Sequence, residues 1–229
     1  MSRSDSPGPH EGQKSLIWGD LNSPNLRCVV VFLHGRGSTA DQDLPAFERT
    51  FNNIDKQTGK LAAVFMNAQD EAWYPEHWTR PRAAQEPFIS SALHVVHETI
   101  QGLPVKPSQV VLTGFSQGAT VSLAYVLTHP EVALDSVLAM SGSVIGSVDK
   151  DWPGDKVIDS ATQIQLVWGS QDRYFKQAKV DEDVEAIRSR GLNIELDVLP
   201  MGHYVAQPEL DKLEKLIEGV FAKTAVEQQ

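Results

Sequence analysis

From residue 27 onward, short apolar runs rich in β-branched residues alternate with longer stretches in which apolar residues recur every third or fourth position. The run 27–33 (Arg-Cys-Val-Val-Val-Phe-Leu) predicts a buried strand that ends in the Gly-rich loop His34-Gly35-Arg36-Gly37. Stretch 41–56 sets Leu44, Phe47, Phe51 and Ile54 at helical spacing, and 61–66 predicts the next strand. A long loop, 67–86, holds Trp73-Tyr74-Pro75 and Trp78. It gives way to a helix over 87–101, with Phe88, Ala92, Val95, Val96 and Ile100 on its apolar side. Then come a strand over 108–115, a tight turn over 114–118, an apolar helix over 117–128, a strand over 134–140 and a loop over 141–160. Strand 163–168, helix 176–190, strand 193–199 and helix 208–222 complete the pattern. This alternation predicts an α/β fold: a mainly parallel central sheet with helices on both faces. The 141–160 segment is too short to be a large cap domain.

Composition narrows this picture without choosing a function. A chain of 229 residues that is 41% hydrophobic can bury one sizeable core. No internal repeat and no Pro-, Gly- or Ser-rich linker divides it, so a single domain over 15–224 is expected. Residues 1–14 are polar and rich in Ser, Pro and Gly, and are expected to form a disordered tail. They lack the apolar centre of a signal peptide, and no stretch approaches the roughly twenty apolar residues of a membrane span, so the expected setting is cytoplasmic. Thirty acidic against twenty basic residues give a formal charge of −10. That disfavours nucleic acid, and stable association with an anionic membrane, as partners. The lone cysteine, Cys28, lies in the first apolar run and reads as a small buried hydrophobe. Nothing in the composition fixes an oligomeric state.

Chemistry enters at Gly114-Phe115-Ser116-Gln117-Gly118. This is the G-x-S-x-G pattern of a nucleophile elbow, at the strand-to-helix junction where its mechanics require it. A serine nucleophile needs a base, and the base needs a group to orient it. In the α/β-hydrolase fold these follow in the order Ser, acid, His. Only His129 and His203 follow Ser116. His129 ends the helix that the serine begins, roughly 20 Å from the elbow, whereas His203 lies just past the last strand, at the sheet's carboxyl edge. Asp172 follows strand 163–168 through Gly169-Ser170-Gln171 and belongs at that same edge. Asp159 precedes the strand, Asp197 lies within one, and Glu209 is explained by its place at a helix start. Asp172 is therefore the expected acid. Two backbone amides, those of Gln117 and Arg36, are the expected oxyanion donors. His34 is expected to hold its loop by a hydrogen bond.

Taken together, Leu33-His34-Gly35-Arg36-Gly37, the Phe-Ser-Gln elbow, Gly169-Ser170-Gln171-Asp172 and Met201-Gly202-His203 resemble the phospholipase/carboxylesterase family, which includes the acyl-protein thioesterases. The resemblance runs from about residue 15 to residue 222. It implies a cofactor-free, metal-free serine hydrolase acting on small-molecule carboxylic esters or thioesters. At matching positions it implies the triad Ser116, Asp172 and His203. The Trp73-Tyr74-Pro75 loop, with Ala92-Leu93 on the helix after it, is similar to the bacterial and fungal carboxylesterase branch; the thioesterase branch usually carries Trp-Phe-Asp there. Arg173-Tyr174-Phe175 after the acid and Tyr204 after the histidine depart from the family pattern, and both are expected to put aromatic bulk near the site. Trp73, Tyr74, Trp78 and Tyr204 are thus the candidate substrate-binding residues. Small to medium acyl groups are the expected substrates. A lyase or acyltransferase using the same triad, an acyl-protein thioesterase and a silent binding module are the alternatives.

Overall fold

The computed structural model describes residues 8–152 and 161–226. Strands β1 (Leu16–Gly19), β2 (Cys28–Leu33) and β3 (Leu61–Met66) surround helix α1 (Ala40–Asp55) in the chain. Helix α2 (Phe88–Gln101), β4 (Val110–Phe115), α3 (Gln117–Thr128) and β5 (Ser136–Met140) follow. The last elements are α4 (Val148–Asp151), β6 (Gln163–Gly169), α5 (Gln177–Ser189), β7 (Asn193–Leu199) and α6 (Gln207–Val226). The strands form one sheet in the order β1-β3-β2-β4-β5-β6-β7. Every pairing is parallel except that of β1 with β3. This is the α/β-hydrolase sheet, and the short β1 at its edge is the strand the hydrophobic pattern misses.

Alternation within the central strands feeds two cores. Val29, Val31 and Leu33 of β2 join α2, α3 and α5 on one face, while Cys28, Val30 and Phe32 join α1 and α6 on the other. Such runs, apolar at every position, arise when a parallel strand is covered on both sides. Residues 141–152, expected as loop, bury Val144, Ile145, Val148 and Trp152, and Trp152 Nε1 donates to the Ile145 carbonyl. Part of the presumed tail is also packed: His10 is buried, whereas residues 1–7 lie outside the described residues. Among the described residues, no helix is long and apolar enough to cross a membrane.

The order of the parallel strands brings the ends of β2, β4, β6 and β7 to one edge, the usual place for a ligand crevice in such sheets. At its centre α3 passes so close to the sheet that a Cβ at Gly118 would lie 2.0 Å from the Leu33 carbonyl oxygen. One at Gly114 would lie 2.4 Å from the Gly118 carbonyl carbon. Backbone, rather than a movable side chain, fills both spaces. Gly118→Ala is therefore expected to destabilise the fold by about 3 kcal/mol, through overpacking that cannot relax cheaply. A denaturant midpoint unchanged from wild type would contradict this.

Candidate active site

The elbow is the local product of β4 running directly into α3. Ser116 takes φ 53° and ψ −113°, a conformation that costs roughly 1–3 kcal/mol and persists only where its surroundings enforce it. Here the Ser116 N–H donates to the Met140 carbonyl at 2.9 Å, and the Ser116 carbonyl accepts the Thr120 N–H at 3.0 Å. Those two bonds fix the turn from the sheet side and the helix side.

Ser116 Oγ lies 2.8 Å from His203 Nε2, and His203 Nδ1 lies 2.7 Å from Asp172 Oδ2. The other Asp172 oxygen accepts the backbone N–H groups of Tyr174 at 2.7 Å and Phe175 at 3.1 Å. A carboxylate can only accept, so Nδ1 carries the imidazole proton and Nε2 presents its lone pair to the serine hydroxyl. The Asp172 side chain is fully buried, while the imidazole keeps limited contact with solvent. Rings of Phe115, Tyr174 and Phe175 pack around His203, with centroids 4.9, 4.7 and 5.8 Å away.

The His34-Gly35 turn closes against the elbow, where a Cβ on Gly35 would lie 3.5 Å from Ser116 Cβ. His34 holds that turn as expected. Its Nε2 accepts the Ala68 N–H at 3.0 Å, which leaves Nδ1–H to donate to the Gly35 carbonyl at 2.7 Å. Burial lowers the His34 pKa, in keeping with this neutral form. The Arg36 guanidinium donates to the Pro75 carbonyl at 3.0 Å. Gln117 supplies the first amide of α3, which has no intrahelical acceptor. Its side chain works elsewhere: Oε1 accepts the Trp73 N–H and Nε2 donates to the Tyr74 carbonyl, each at 2.9 Å.

A cavity of about 330 Å³ opens over Ser116 and His203. Tyr74, Trp78, Phe115, Tyr174 and Phe175 supply its aromatic wall, while Arg36, Glu76 and His77 also line it. Trp78 packs on Phe175 at 5.1 Å.

Such a serine–imidazole–carboxylate chain recurs on unrelated folds, so geometry alone does not name a lineage. Residues 22–221 match the model of the phospholipase/carboxylesterase family. The chain belongs to that family. It is a serine hydrolase acting on ester bonds, and the lyase and acyltransferase alternatives are not favoured. Among curated relatives of this phospholipase/carboxylesterase member, acyl-protein thioesterase 1 homolog 1 of Dictyostelium discoideum is 22% identical over 85% of this chain and 91% of its own. A phospholipase/carboxylesterase structure from Dyadobacter fermentans superposes with a TM-score of 0.72 at 23% identity, covering 94% of this chain and 99% of that one. The Bacillus cereus carboxylesterase gives 0.67 at 15% identity, over 92% and 95% of the two chains.

The remaining expected site residues divide. Tyr74 and Trp78 line the cavity, but Trp73 does not: it is fully buried behind the wall, with its indole N–H donating to the His34 carbonyl at 2.9 Å. Tyr204 is also outside the lining and 55% exposed, so it does not narrow access; Tyr174 and Phe175 provide the aromatic bulk instead. Of the other candidates weighed from the sequence, His129 stacks on Tyr125 at 4.5 Å, Asp197 pairs with Lys212, and Asp159 lies outside the described residues. Phe115 is a lining residue that the sequence did not single out, while His77, expected to face solvent rather than to act in catalysis, is exposed and also lines the cavity. The second position of the elbow was the available signal for Phe115, because it lies at the same sheet edge as Ser116.

Glu209 fixes the segment between His203 and α6 by accepting the Ala206 N–H at 2.8 Å, one half of a capping box. Burial raises its pKa from 4.5 to about 7, and its Oε1 has no partner among the described residues. The folded pKa is the higher one. Its stabilisation is thus complete below the unfolded value of 4.5 and is lost as pH rises through about 7, on the order of 3 kcal/mol in all. Glu209→Gln is neutral throughout, so it should gain stability relative to wild type between pH 5 and pH 8. Parallel denaturant midpoints for the two proteins across that range would refute this.

Proposed function

We propose that the enzyme hydrolyses carboxylic esters, or the corresponding thioesters, of small to medium acyl groups through an acyl-enzyme on Ser116. The observation that carries this reading is the unbroken path from Ser116 Oγ through His203 to Asp172, opening into an aromatic cavity of about 330 Å³. That volume is at the low end of the roughly 300–1,000 Å³ of small-molecule sites, which suits short acyl chains better than long lipid ones. The net charge of −10 fits a small-molecule substrate rather than nucleic acid or an anionic membrane. A reducing, cytoplasmic setting fits the one cysteine, which is buried as a thiol whose pKa burial pushes far up.

As Oγ bonds to the acyl carbon, His203 Nε2 takes the hydroxyl proton and the carbonyl electron pair moves onto oxygen. The N–H groups of Gln117 and Arg36 hold that oxyanion, at a cost in reorganisation already met by the fold. Asp172 keeps Nδ1–H oriented and stabilises the imidazolium. The bond to the alcohol or thiol then breaks, and the leaving group departs with the proton from His203. Water enters next, gives a proton to His203 and bonds to the acyl carbon. Ser116 recovers its proton as the carboxylic acid leaves.

Ser116→Ala should lower turnover of p-nitrophenyl butyrate by a factor of about 10⁴ or more. Wild-type turnover by the folded variant would sink the mechanism. Across p-nitrophenyl esters from acetate to palmitate, kcat/KM should peak among the short and medium chains. A maximum at palmitate would overturn the assignment of acyl size.

A further inference from the structure

The substrate-facing wall is tethered by a segment outside the family's matched region, which begins at residue 22. His10 lies well before that point, in a stretch whose composition reads as a tail, yet it is 2% exposed. Its backbone N–H donates to Ser91 Oγ on α2 at 3.0 Å. Its ring packs against Trp73 at 5.4 Å and Phe88 at 5.8 Å. Nδ1 accepts the Gln69 N–H at 3.1 Å, so Nε2 carries the proton and donates to the Trp73 carbonyl at 3.0 Å. A neutral imidazole satisfies both bonds, and burial favours that form.

One side chain therefore ties the start of the 67–86 loop to the helix that follows its end. The backbone is caught on both sides of the Trp73 Cα: Gln117 beside the nucleophile accepts the N–H before it, and His10 donates to the carbonyl after it. Tyr74, the next residue, lines the acyl cavity. With the carbonyl released, the backbone at 73–74 would keep the bond from Gln117 Nε2 to the Tyr74 carbonyl but lose the one from His10, and the wall at Tyr74 would be held less firmly.

We propose that the arm before β1 is a strap for the acyl-binding wall, and that His10 is its positioning residue. The inference rests on the reading of the aromatic cavity as the acyl site. The strap should matter little for acetate, which needs little of the wall, and more for hexanoate, which needs more of it.

The test uses the full chain with His10→Ala, His10→Gln and Ser91→Ala, assayed on p-nitrophenyl acetate and hexanoate alongside thermal unfolding. His10→Ala should raise KM for hexanoate about tenfold while acetate kcat/KM stays within twofold of wild type. Gln carries both an acceptor and a donor, so His10→Gln should recover at least half of that loss on a logarithmic scale. Ser91→Ala, which removes only the arm's backbone anchor, should shift hexanoate KM in the same direction by twofold or more. It also decides the matter if His10→Ala does not fold. Equal losses on both esters, or no loss on either, would overturn the strap. The reading of the site itself is judged separately: turnover surviving in Ser116→Ala would remove that reading, whatever the arm variants do.

Discussion

The carboxyl edge of the sheet depends on one backbone contact, the passage of α3 across the end of β2 at Gly118. Because the helix can sit that close, β4 can turn into it within a single residue, and that residue is Ser116 in a left-handed conformation. The turn lifts the side chain out of the sheet toward His203 and leaves the first amide of α3 beside it without an intrahelical acceptor. It also brings the His34-Gly35 turn against the nucleophile. A bulkier residue at Gly114 or Gly118 would push the strand and the helix apart, and Ser116 between them would shift with that separation.

A second level of order surrounds this elbow, built mostly from side chains that reach for backbone. His34 spans its own loop and Ala68, and Gln117 bonds both Trp73 and Tyr74. The Trp73 indole returns the favour by donating to the His34 carbonyl. The loop between β3 and α2 has little regular structure, and its shape is set by these fixed donors and acceptors. Buried polar groups of this kind are costly when half satisfied, and their mutual satisfaction gives the wall a single arrangement.

The chain's own pattern revealed what chemistry restricts most tightly. The elbow serine, the aspartate after the sixth strand and the histidine after the seventh, which the structure brings within hydrogen-bond distance, were legible because the proposed roles of nucleophile, orienter and base allow few residue types and the fold fixes their order. The buried strands were legible because parallel strands covered on both faces are continuously apolar. Loop aromatics were not. Trp73 and Trp78 lie five positions apart in a segment without periodicity, and nothing local says which faces the substrate and which lies behind it. Tyr204 failed for the same reason. β1 is short, half exposed and at the sheet's edge, so it carries almost no signal. The docked arm was hidden by averaging: one histidine with good partners outweighs the Ser, Pro and Gly around it, and composition cannot register that.

The support of Asp172 has a consequence for how such an enzyme can diversify. Its two donors besides His203 are the main-chain amides of Tyr174 and Phe175, while the side chains of those same residues face the cavity. On the proposed function, catalytic geometry and substrate preference thus occupy the same four-residue stretch, 172–175, but are encoded in different atoms. Exchanging either ring for another shape would remodel the cavity and its packing on His203 while leaving in place the amides that hold the carboxylate. Proline at Phe175, or a change in loop length, breaks that separation, since it removes an amide that no side chain can replace.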